Sequence, residues 1–321
     1  MTAACDGRML AAREHIGLDR SREVDVTPLE PLLRFSAFAA RPDERLGLAE
    51  GALLIAEIAY PGLAPVRSLR TLDRLAAEVR RELSLPPNGR LDAALAAERQ
   101  MATHVLRGMR DVLAGREGFH GNRDEYDDPR NSFLNDVLDR RTGLPILLSV
   151  IYLEVARRLG APLAGVSLPA HFVTTWPLEA SEGGALFFDA FSGEILDAAA
   201  CRRFVIRLMS ASPGGPMVDA RWFAPVGTRA ILTRMLHNLK RVYLERGDTS
   251  AALEVVERLI VLRPDLPEEL RDRGLLRLAL GDPLLAAADI AAYTERAPNA
   301  PEVRRLGKRL AEAREVRAKL N

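Results

Sequence analysis

The sequence predicts an α+β protein that is predominantly helical, and three observations support this fold class. Between residues 28 and 115, apolar side chains recur at close to the 3.6-residue period of a helix. Residues 164–188 instead contain short strand-type segments separated by Pro and Gly. After residue 222 the helical pattern returns, and its landmarks repeat at an interval of 34 residues.

These changes of pattern divide the chain into four predicted segments. Residues 1–26 are expected to form a flexible tail and residues 27–117 a helical N-terminal region. Residues 118–222 are expected to form an α+β core, and residues 223–321 a region of helical repeats.

The composition is that of a cytoplasmic globular protein. Lys+Arg total 45 and Asp+Glu 44, a formal charge of +1, so nucleic acid and anionic lipid are not expected as partners. The two cysteines are too few for a disulfide scaffold. The N-terminal stretch has no signal-peptide core, and no run of about 18 apolar residues follows. We expect no membrane contact and no cofactor, and the oligomeric state stays open.

Four helices are predicted in the N-terminal region. Thr27-Pro28 is a typical helix start. The apolar face of this first helix is expected at Leu29, Leu32, Leu33 and Phe35. The second helix should end before the Pro61-Gly62 breaker, and the fourth should run unbroken over residues 91–113.

A hydrophilic run, DEYDDPRN at residues 124–131, contains four carboxylates and could suggest a metal loop. Calcium loops, however, need a Gly turn and a distal bidentate carboxylate at fixed spacing, and both are missing. We therefore predict a solvated loop that caps the helix beginning near Asn131 or Ser132, and no metal site.

A central helix and a small sheet are predicted next. Residues 146–159 are apolar on most sides, which is typical of a buried helix, and Gly160 with Pro162 should end it. Strands are expected at residues 164–168, 171–176 and 185–188. Short strands with tight links predict an antiparallel sheet packed on that helix.

The C-terminal region repeats its landmarks at a fixed interval. Gly247-Asp248 recurs as Gly281-Asp282, Ala252 as Ala286, and Pro264 as Pro298, each 34 residues later. This period is that of tetratricopeptide repeats, although an unrelated bundle could show it by accident. Two repeats and a charged final helix, residues 301–319, should form a short stack whose concave face binds a protein or peptide.

The core also carries residues in the order used by papain-like thiol enzymes. Such enzymes place a Cys in the first turn of a buried helix, a basic His on a neighbouring strand, and an orienting Asp or Asn on the next strand. Here the helix begins at Gly143, His171 follows the next strand, and Asp189 ends the strand after that.

At these residues the chain resembles the SirB-type family, in which a transglutaminase-like core precedes tetratricopeptide repeats. The resemblance spans most of the chain from about residue 45. Its motifs are Asn131-Ser132-Phe133-Leu134-Asn135, Arg141-Thr142-Gly143-Leu144-Pro145, Leu153 to Gly160, Pro169-Ala170-His171-Phe172, Phe188-Asp189-Ala190-Phe191 with Gly193, and Arg271-Asp272-Arg273-Gly274. Ala170 departs from the Gly common in the family, which is expected to tighten the turn before His171.

The resemblance implies a papain/transglutaminase-like core and a site within it. His171 matches the base and Asp189 its orienting acid, while the nucleophile position holds Pro145, which has neither a thiol nor a backbone N–H. Candidate pocket residues are Asn131, Asn135, Gly143, Pro145 and Phe172. Ser132, Ser149 and Cys201 are the possible substitutes, and none is expected at the start of that helix. Because loss of a triad nucleophile lowers turnover about a millionfold, classical acyl transfer is not expected.

Three interpretations of His171 and Asp189 stay open. They could form a structural cross-strand pair, line a pocket that binds a peptide or small polar ligand without turnover, or support a residual reaction with another nucleophile or a metal. One His and one Asp are too few ligands for a zinc site. The favoured function is that of a non-catalytic binding or regulatory protein, a pseudoenzyme, and the alternative is a hydrolase or acyltransferase using this dyad. Proteins of this family are sometimes named as regulators of transcription. The near-neutral charge gives no support for direct DNA contact, so such an effect would run through a protein partner.

Overall fold

The computed structural model describes residues 29–86, 89–209 and 218–320. The predicted tail, the Thr27-Pro28 helix start and Cys5 lie outside these residues. None of the described helices is long and apolar enough to cross a membrane.

Among the described residues five helices precede the core, where the periodicity predicts four. They are α1 (Leu29–Ala39), α2 (Leu48–Ala56), α3 (Val66–Glu82), α4 (Ala93–Ala96) and α5 (Arg99–Arg110). The prediction for Leu33 is wrong, because α1 buries Phe35 and Phe38 and a residue two positions from Phe35 points about 200° away. Leu33 is 66% exposed. The unbroken helix over residues 91–113 is also wrong, because the extended backbone of Glu98 (ψ 132°) separates α4 from α5.

The core begins with two helices and a pair of very short strands. These are β1 (His120–Gly121), α6 (Leu134–Arg140), β2 (Thr142–Gly143) and α7 (Pro145–Leu159). β1 pairs in parallel with β2 immediately before α7. The predicted central helix is confirmed, since α7 is buried over most of its length and ends at Gly160 with a left-handed φ of 78°.

A five-stranded antiparallel sheet packs beside α7. Its strands are β3 (Ala164–Leu168), β4 (His171–Trp176), β5 (Leu186–Asp189), β6 (Glu194–Asp197) and β7 (Pro225–Val226), in the order β6-β5-β4-β3-β7. The three predicted strands are confirmed. β6, β7 and the helix α8 (Ala198–Met209) were not predicted.

Side chains alternate between the two faces of this sheet. Phe172, Trp176 and Phe188 belong to the main hydrophobic core together with α7. Val173 and Phe187 belong to a second cluster on the other face, together with Cys201 of α8. The sheet is therefore covered by a helix on each side.

The 34-residue repeat is confirmed as helical hairpins. The helices are α9 (Thr228–Glu245), α10 (Thr249–Leu262), α11 (Pro267–Ala279), α12 (Pro283–Arg296) and α13 (Val303–Leu320). Gly247 and Gly281 adopt left-handed φ values of 71° and 83° between paired helices. Asp248 and Asp282 then cap α10 and α12 by accepting hydrogen bonds from backbone N–H groups.

One hydrophobic core extends from α1 through α7 to α11. α1 packs on α10, and α2 packs on α7 and on α9. The N-terminal helices thus bridge the core and the first repeat, and the four-segment division stays a prediction.

Candidate functional site

His171 begins β4 immediately after a two-residue turn. Leu168 and His171 are paired across this turn, which consists of Pro169 and Ala170. Ala170 has a φ of 55°, the left-handed conformation that glycine adopts without strain. The hairpin therefore forms with Ala at this position, at a cost of about 1 kcal/mol relative to Gly.

The hairpin turn lies toward the N-terminal end of α7. The chain leaves α7 at Gly160 and enters β3 at Ala164, so β3 runs back along the helix. Its far end, and with it His171, is thereby brought to the end of α7 where Pro145 stands. The elements thus follow the order of a papain-like site, and the direction in which the imidazole points decides whether it reaches α7.

His171 and Asp189 approach each other closely. The distance from His171 Nε2 to Asp189 Oδ1 is 3.0 Å, and the two side chains are 11% and 4% exposed. At this distance the imidazole can donate a hydrogen bond to the carboxylate, although the geometry departs from the ideal. The pair therefore has the spacing of a catalytic dyad.

Asp189 is held mainly by the turn that follows it. Its Oδ1 accepts a hydrogen bond from the N–H of Phe191 at 2.9 Å, and its Oδ2 accepts one from the hydroxyl of Ser192 at 2.9 Å. Burial alone would raise the pKa of Asp189, but the nearby imidazole of His171 and these two donors outweigh burial, and the pKa lies below its ordinary value. Asp189 is thus ionised at neutral pH.

Aromatic rings enclose the imidazole of His171. The ring of Phe204, on α8, lies edge-on at 5.1 Å between centroids, and that of Phe191 lies edge-on at 6.3 Å. Phe172, the next residue along β4, packs instead in the main core with α7. His171 therefore faces α8, away from the helix that would carry a nucleophile.

Phe191 contacts the imidazole and also a segment beside the start of α7. Its ring contacts Gly121 so closely that a Cβ atom there would lie 2.1 Å from Phe191 Cε2. Gly121 in turn pairs with Gly143, two residues before Pro145. The guanidinium of Arg123 stacks over the outer side of the same ring at 5.5 Å.

Pro145 is the first residue of α7, and it is buried. Leu144, the N-cap, contributes no side-chain cap, and its N–H donates to the carbonyl of Asn131 at 3.1 Å. Gly143 packs against Val137, where a Cβ would lie 2.7 Å from Val137 Cγ2. The entry to α7 at Gly143 to Pro145 is thus tightly packed, and these three residues carry neither a thiol nor a hydroxyl.

The three substitute nucleophiles are not hydrogen-bonded to the imidazole. The hydroxyls of Ser132 and Ser149 are buried and have no hydrogen-bond partner among the described residues. Cys201, on α8, is fully buried in the cluster between α8 and the sheet. Burial, together with the negative charge of Asp189, raises the pKa of the Cys201 thiol to about 12, so the thiol is protonated and unreactive at neutral pH.

Asn131 organises the acidic loop at residues 122–128. Its Nδ2 donates to the carbonyl of Glu125 at 2.6 Å, and its Oδ1 accepts from Asn122 at 3.1 Å. Asp128 caps the short 3-10 turn at Pro129–Ser132, whereas α6 begins at Leu134 without a side-chain cap, so the predicted capped helix start near Asn131 or Ser132 is wrong. Asn135 lies on α6, and its buried Oδ1 has no partner among the described residues. No group of three or more metal-ligating side chains occurs in the described part of the chain.

His171 and Asp189 line none of four cavities of about 320 to 860 Å³ found among the described residues.

The sequence does not predict the two rings beside His171. Phe191 follows Asp189 by two residues in the Phe188-Asp189-Ala190-Phe191 motif, but only the structure shows that its ring lies against the imidazole.

The first repeat is fastened to the core by three arginines of α9 and its end. Arg234 donates to the Ser167 hydroxyl at 2.8 Å and to the carbonyl of Leu168 at 2.7 Å. Arg241 pairs with the Asp127 carboxylate at 3.0 Å, and Arg246 donates to the Asp127 carbonyl at 3.5 Å. This side of α9 is therefore in contact with the core and not free for a partner.

Comparison with known proteins agrees with this architecture. Residues 67–237 match the transglutaminase-like superfamily, and residues 239–311 match the tetratricopeptide repeat. A UPF0162 protein of Xylella fastidiosa (strain 9a5c) is 39% identical over 280 residues, covering 84% of this chain and 90% of that protein. A UPF0162 protein of Pseudomonas aeruginosa is 32% identical over 267 residues, covering 83% of this chain and 90% of that protein.

A more distant relative is F-box only protein 21 of Homo sapiens, 31% identical over 200 residues, which cover 59% of this chain and 30% of that protein. No solved structure matches. The fold and the matched regions define the class as a transglutaminase-like domain followed by tetratricopeptide repeats. The chain belongs to the UPF0162 family, which agrees with the SirB-type resemblance.

Proposed function

We propose that this protein is a non-catalytic, protein-binding member of its family, in which the transglutaminase-like core serves as a scaffold for the repeats. The observation that carries the proposal is Pro145 at the first position of α7, where a nucleophilic thiol would stand. Proline supplies no nucleophile and no backbone N–H for an oxyanion.

The surroundings of His171 support the same proposal. The imidazole packs against Phe191 and Phe204, and it faces α8 rather than α7. We infer that His171 and Asp189 act as a structural pair that fixes the ends of β4 and β5. Within a buried site, a close His–Asp pair restrains the strands it joins whether or not it performs chemistry.

Tetratricopeptide repeats commonly bind proteins, and we assign partner recognition to the repeat region. Because α9 contacts the core, the surfaces of α11 and α13 are the ones we propose for a partner. A cytoplasmic setting and the absence of nucleic-acid binding belong to this proposal. Any regulatory effect would then run through a protein partner.

A second candidate function rests on the 3.0 Å approach of His171 Nε2 to Asp189 Oδ1. A dyad at this spacing could activate water or a serine hydroxyl in a hydrolase or acyltransferase reaction. The substrate would have to displace Phe191 to reach the imidazole.

Turnover assays distinguish the two functions. The full chain would be incubated with peptide amides, amines and p-nitrophenyl esters, beside a His171→Ala variant and a His104→Ala control on an exposed helix surface. We expect no turnover above the buffer rate for any of the three proteins. Activity that is present in the parent and the His104→Ala control but lost in His171→Ala would overturn the non-catalytic proposal.

A further inference from the structure

The last helix of the repeats carries a concentrated positive charge. Residues 303–320 contain seven Lys or Arg and two Glu, a net charge of +5. Since the whole chain carries +1, the other residues together carry −4. The near-neutral total therefore conceals a strongly basic helix at one end of the molecule.

The described part of α13 separates this charge from its apolar side. Leu306 is buried against α12, and Leu310 is partly buried in the same cluster. The basic face of α13, defined as Arg304, Arg305, Lys308 and Arg309, is exposed. Its one acidic neighbour on the described helix is Glu312, which lies 3.8 Å from Lys308.

Pairing elsewhere in the repeats makes this face distinctive. Lys240 is paired with Glu269 and Asp272, and Arg273 and Arg277 are both paired with Asp289. Arg271 is paired with Asp272 and Glu302. Three of the four cations on the basic face of α13 have no carboxylate partner among the described residues, so their charge is available to a ligand.

We infer that the basic face of α13 binds an acidic segment of a partner protein. This inference rests on the proposed protein-binding function and specifies its partner chemistry. Charge complementarity selects a partner rich in Asp and Glu. A single nucleic-acid strand fits less well, because residues 303–320 contain no aromatic side chain for base stacking and the rest of the chain is net negative.

The test measures binding of a fluorescent peptide of alternating Glu and Gly to the full chain. Matched probes are the same peptide with Gln in place of Glu, and a single-stranded oligonucleotide of equal charge. The test variant reverses the basic face by Arg304→Glu, Arg305→Glu, Lys308→Glu and Arg309→Glu. The control variant makes the same change in net charge at exposed, unpaired arginines of the described chain, by Arg70→Glu, Arg81→Glu, Arg107→Glu and Arg203→Glu.

We expect the acidic peptide to bind the parent and the control variant, and to bind the α13 variant at least about tenfold more weakly. Added salt should weaken binding of the peptide to the parent, because it screens the charges. A second variant with Gln at the four α13 positions should fall between them, and circular dichroism verifies folding. Equal loss in the control variant, equal binding of the Gln peptide, or tighter binding of the oligonucleotide would each overturn the inference. The turnover assay tests the non-catalytic proposal separately, so that proposal and the acidic-partner inference can fail independently.

Discussion

The ring of Phe191 lies against Gly121 so closely that no side chain fits between them; an added Cβ would stand 2.1 Å from Cε2. This contact holds the ring beside His171. Gly121→Ala should displace Phe191, lower the free energy of unfolding by about 1–3 kcal/mol, and expose the imidazole.

Modification of His171 by diethylpyrocarbonate, followed by mass spectrometry of the peptide, would detect this exposure. The modification should be slow in the parent protein and faster in Gly121→Ala. Gly115→Ala is the matched control, because a Cβ there meets nothing within 4 Å, and it should leave both measurements near the parent values. An unchanged His171 reactivity in Gly121→Ala would show that Phe191 does not cover the imidazole.

The Asp189 carboxylate should make stability depend on acid pH. Burial opposes its ionisation, but the neighbouring imidazole, the Phe191 N–H and the Ser192 hydroxyl place its pKa in the folded state below the ordinary value of 3.8. Because the folded pKa is lower than the unfolded one, the ionised carboxylate stabilises the fold above about pH 4, and this contribution is lost as pH falls through the folded value.

Asp189→Asn should therefore be less stable than the parent at pH 7, and the difference should narrow below about pH 4. Urea unfolding at a series of pH values measures the difference. Asp139→Asn, at a 53% exposed side chain, should stay within about 0.5 kcal/mol of the parent across the series. If the difference in free energy of unfolding stayed constant down to pH 2, the ionised form of Asp189 would not be stabilising the fold.

The sequence predicts those elements whose signals are local. The strand bounds at 164–168 and 171–176 follow from short strand-type segments separated by Pro, and they agree with β3 and β4. The repeats follow from their period, since Gly247 and Gly281 occupy equivalent left-handed turns. The sequence also predicts that His171 and Asp189 lie on successive strands of the core.

The missed features depend on contacts between distant residues. α8 has apolar periodicity at least as clear as that of α1, but the contact of its Phe204 with His171 joins residues 33 positions apart and has no local signal. Neither Gly nor Pro occurs at the break between α4 and α5, so the break has no local sequence signal. Which face of β4 the imidazole occupies depends on register, and a shift by one residue would reverse it. The sequence therefore predicts the His171–Asp189 pair but not the rings of Phe191 and Phe204 that pack beside it.

Cys201 should be unreactive in the folded protein. Its thiol is fully buried, and burial with the charge of Asp189 raises its pKa to about 12. In a Cys5→Ser background, iodoacetamide at neutral pH should alkylate Cys201 at least about a hundredfold more slowly in buffer than in urea. Rapid labelling of the folded protein, especially if His171→Ala abolished it, would make Cys201 a candidate nucleophile.

Arg229 should be a major contributor to stability, because its guanidinium joins two helix ends. It donates to the carbonyls of Ala39, the last residue of α1, and of Arg41 beyond it, at 3.0 and 2.8 Å. It also donates to the carbonyl of Leu262 at the end of α10, at 2.9 Å. A cation at a helix C-terminus also interacts favourably with the helix dipole. Arg229→Ala should lower the free energy of unfolding by about 2–3 kcal/mol, measured by urea titration.

Arg70→Ala is the control for that experiment, since Arg70 is exposed and should change stability by less than about 0.5 kcal/mol. Arg229→Lys should recover only part of the loss, because an ammonium cannot reach three carbonyls in the planar arrangement of a guanidinium. Equal stability of Arg229→Ala and the parent would mean that these hydrogen bonds merely replace hydrogen bonds to water.

Returning a thiol to the start of α7 should not restore catalysis. Pro145→Cys places a sulfur at the first helical position, where the dipole would favour a thiolate. The imidazole, however, packs against Phe204 of α8, and Phe191, which contacts the imidazole, also packs against Gly121 beside the entry to α7. We therefore expect Pro145→Cys to hydrolyse peptide amides and p-nitrophenyl esters no faster than a Pro145→Ser control. If Pro145→Cys showed amide hydrolysis that His171→Ala removed, the imidazole would be reachable from α7, and Pro145 alone would separate this protein from an active thiol enzyme.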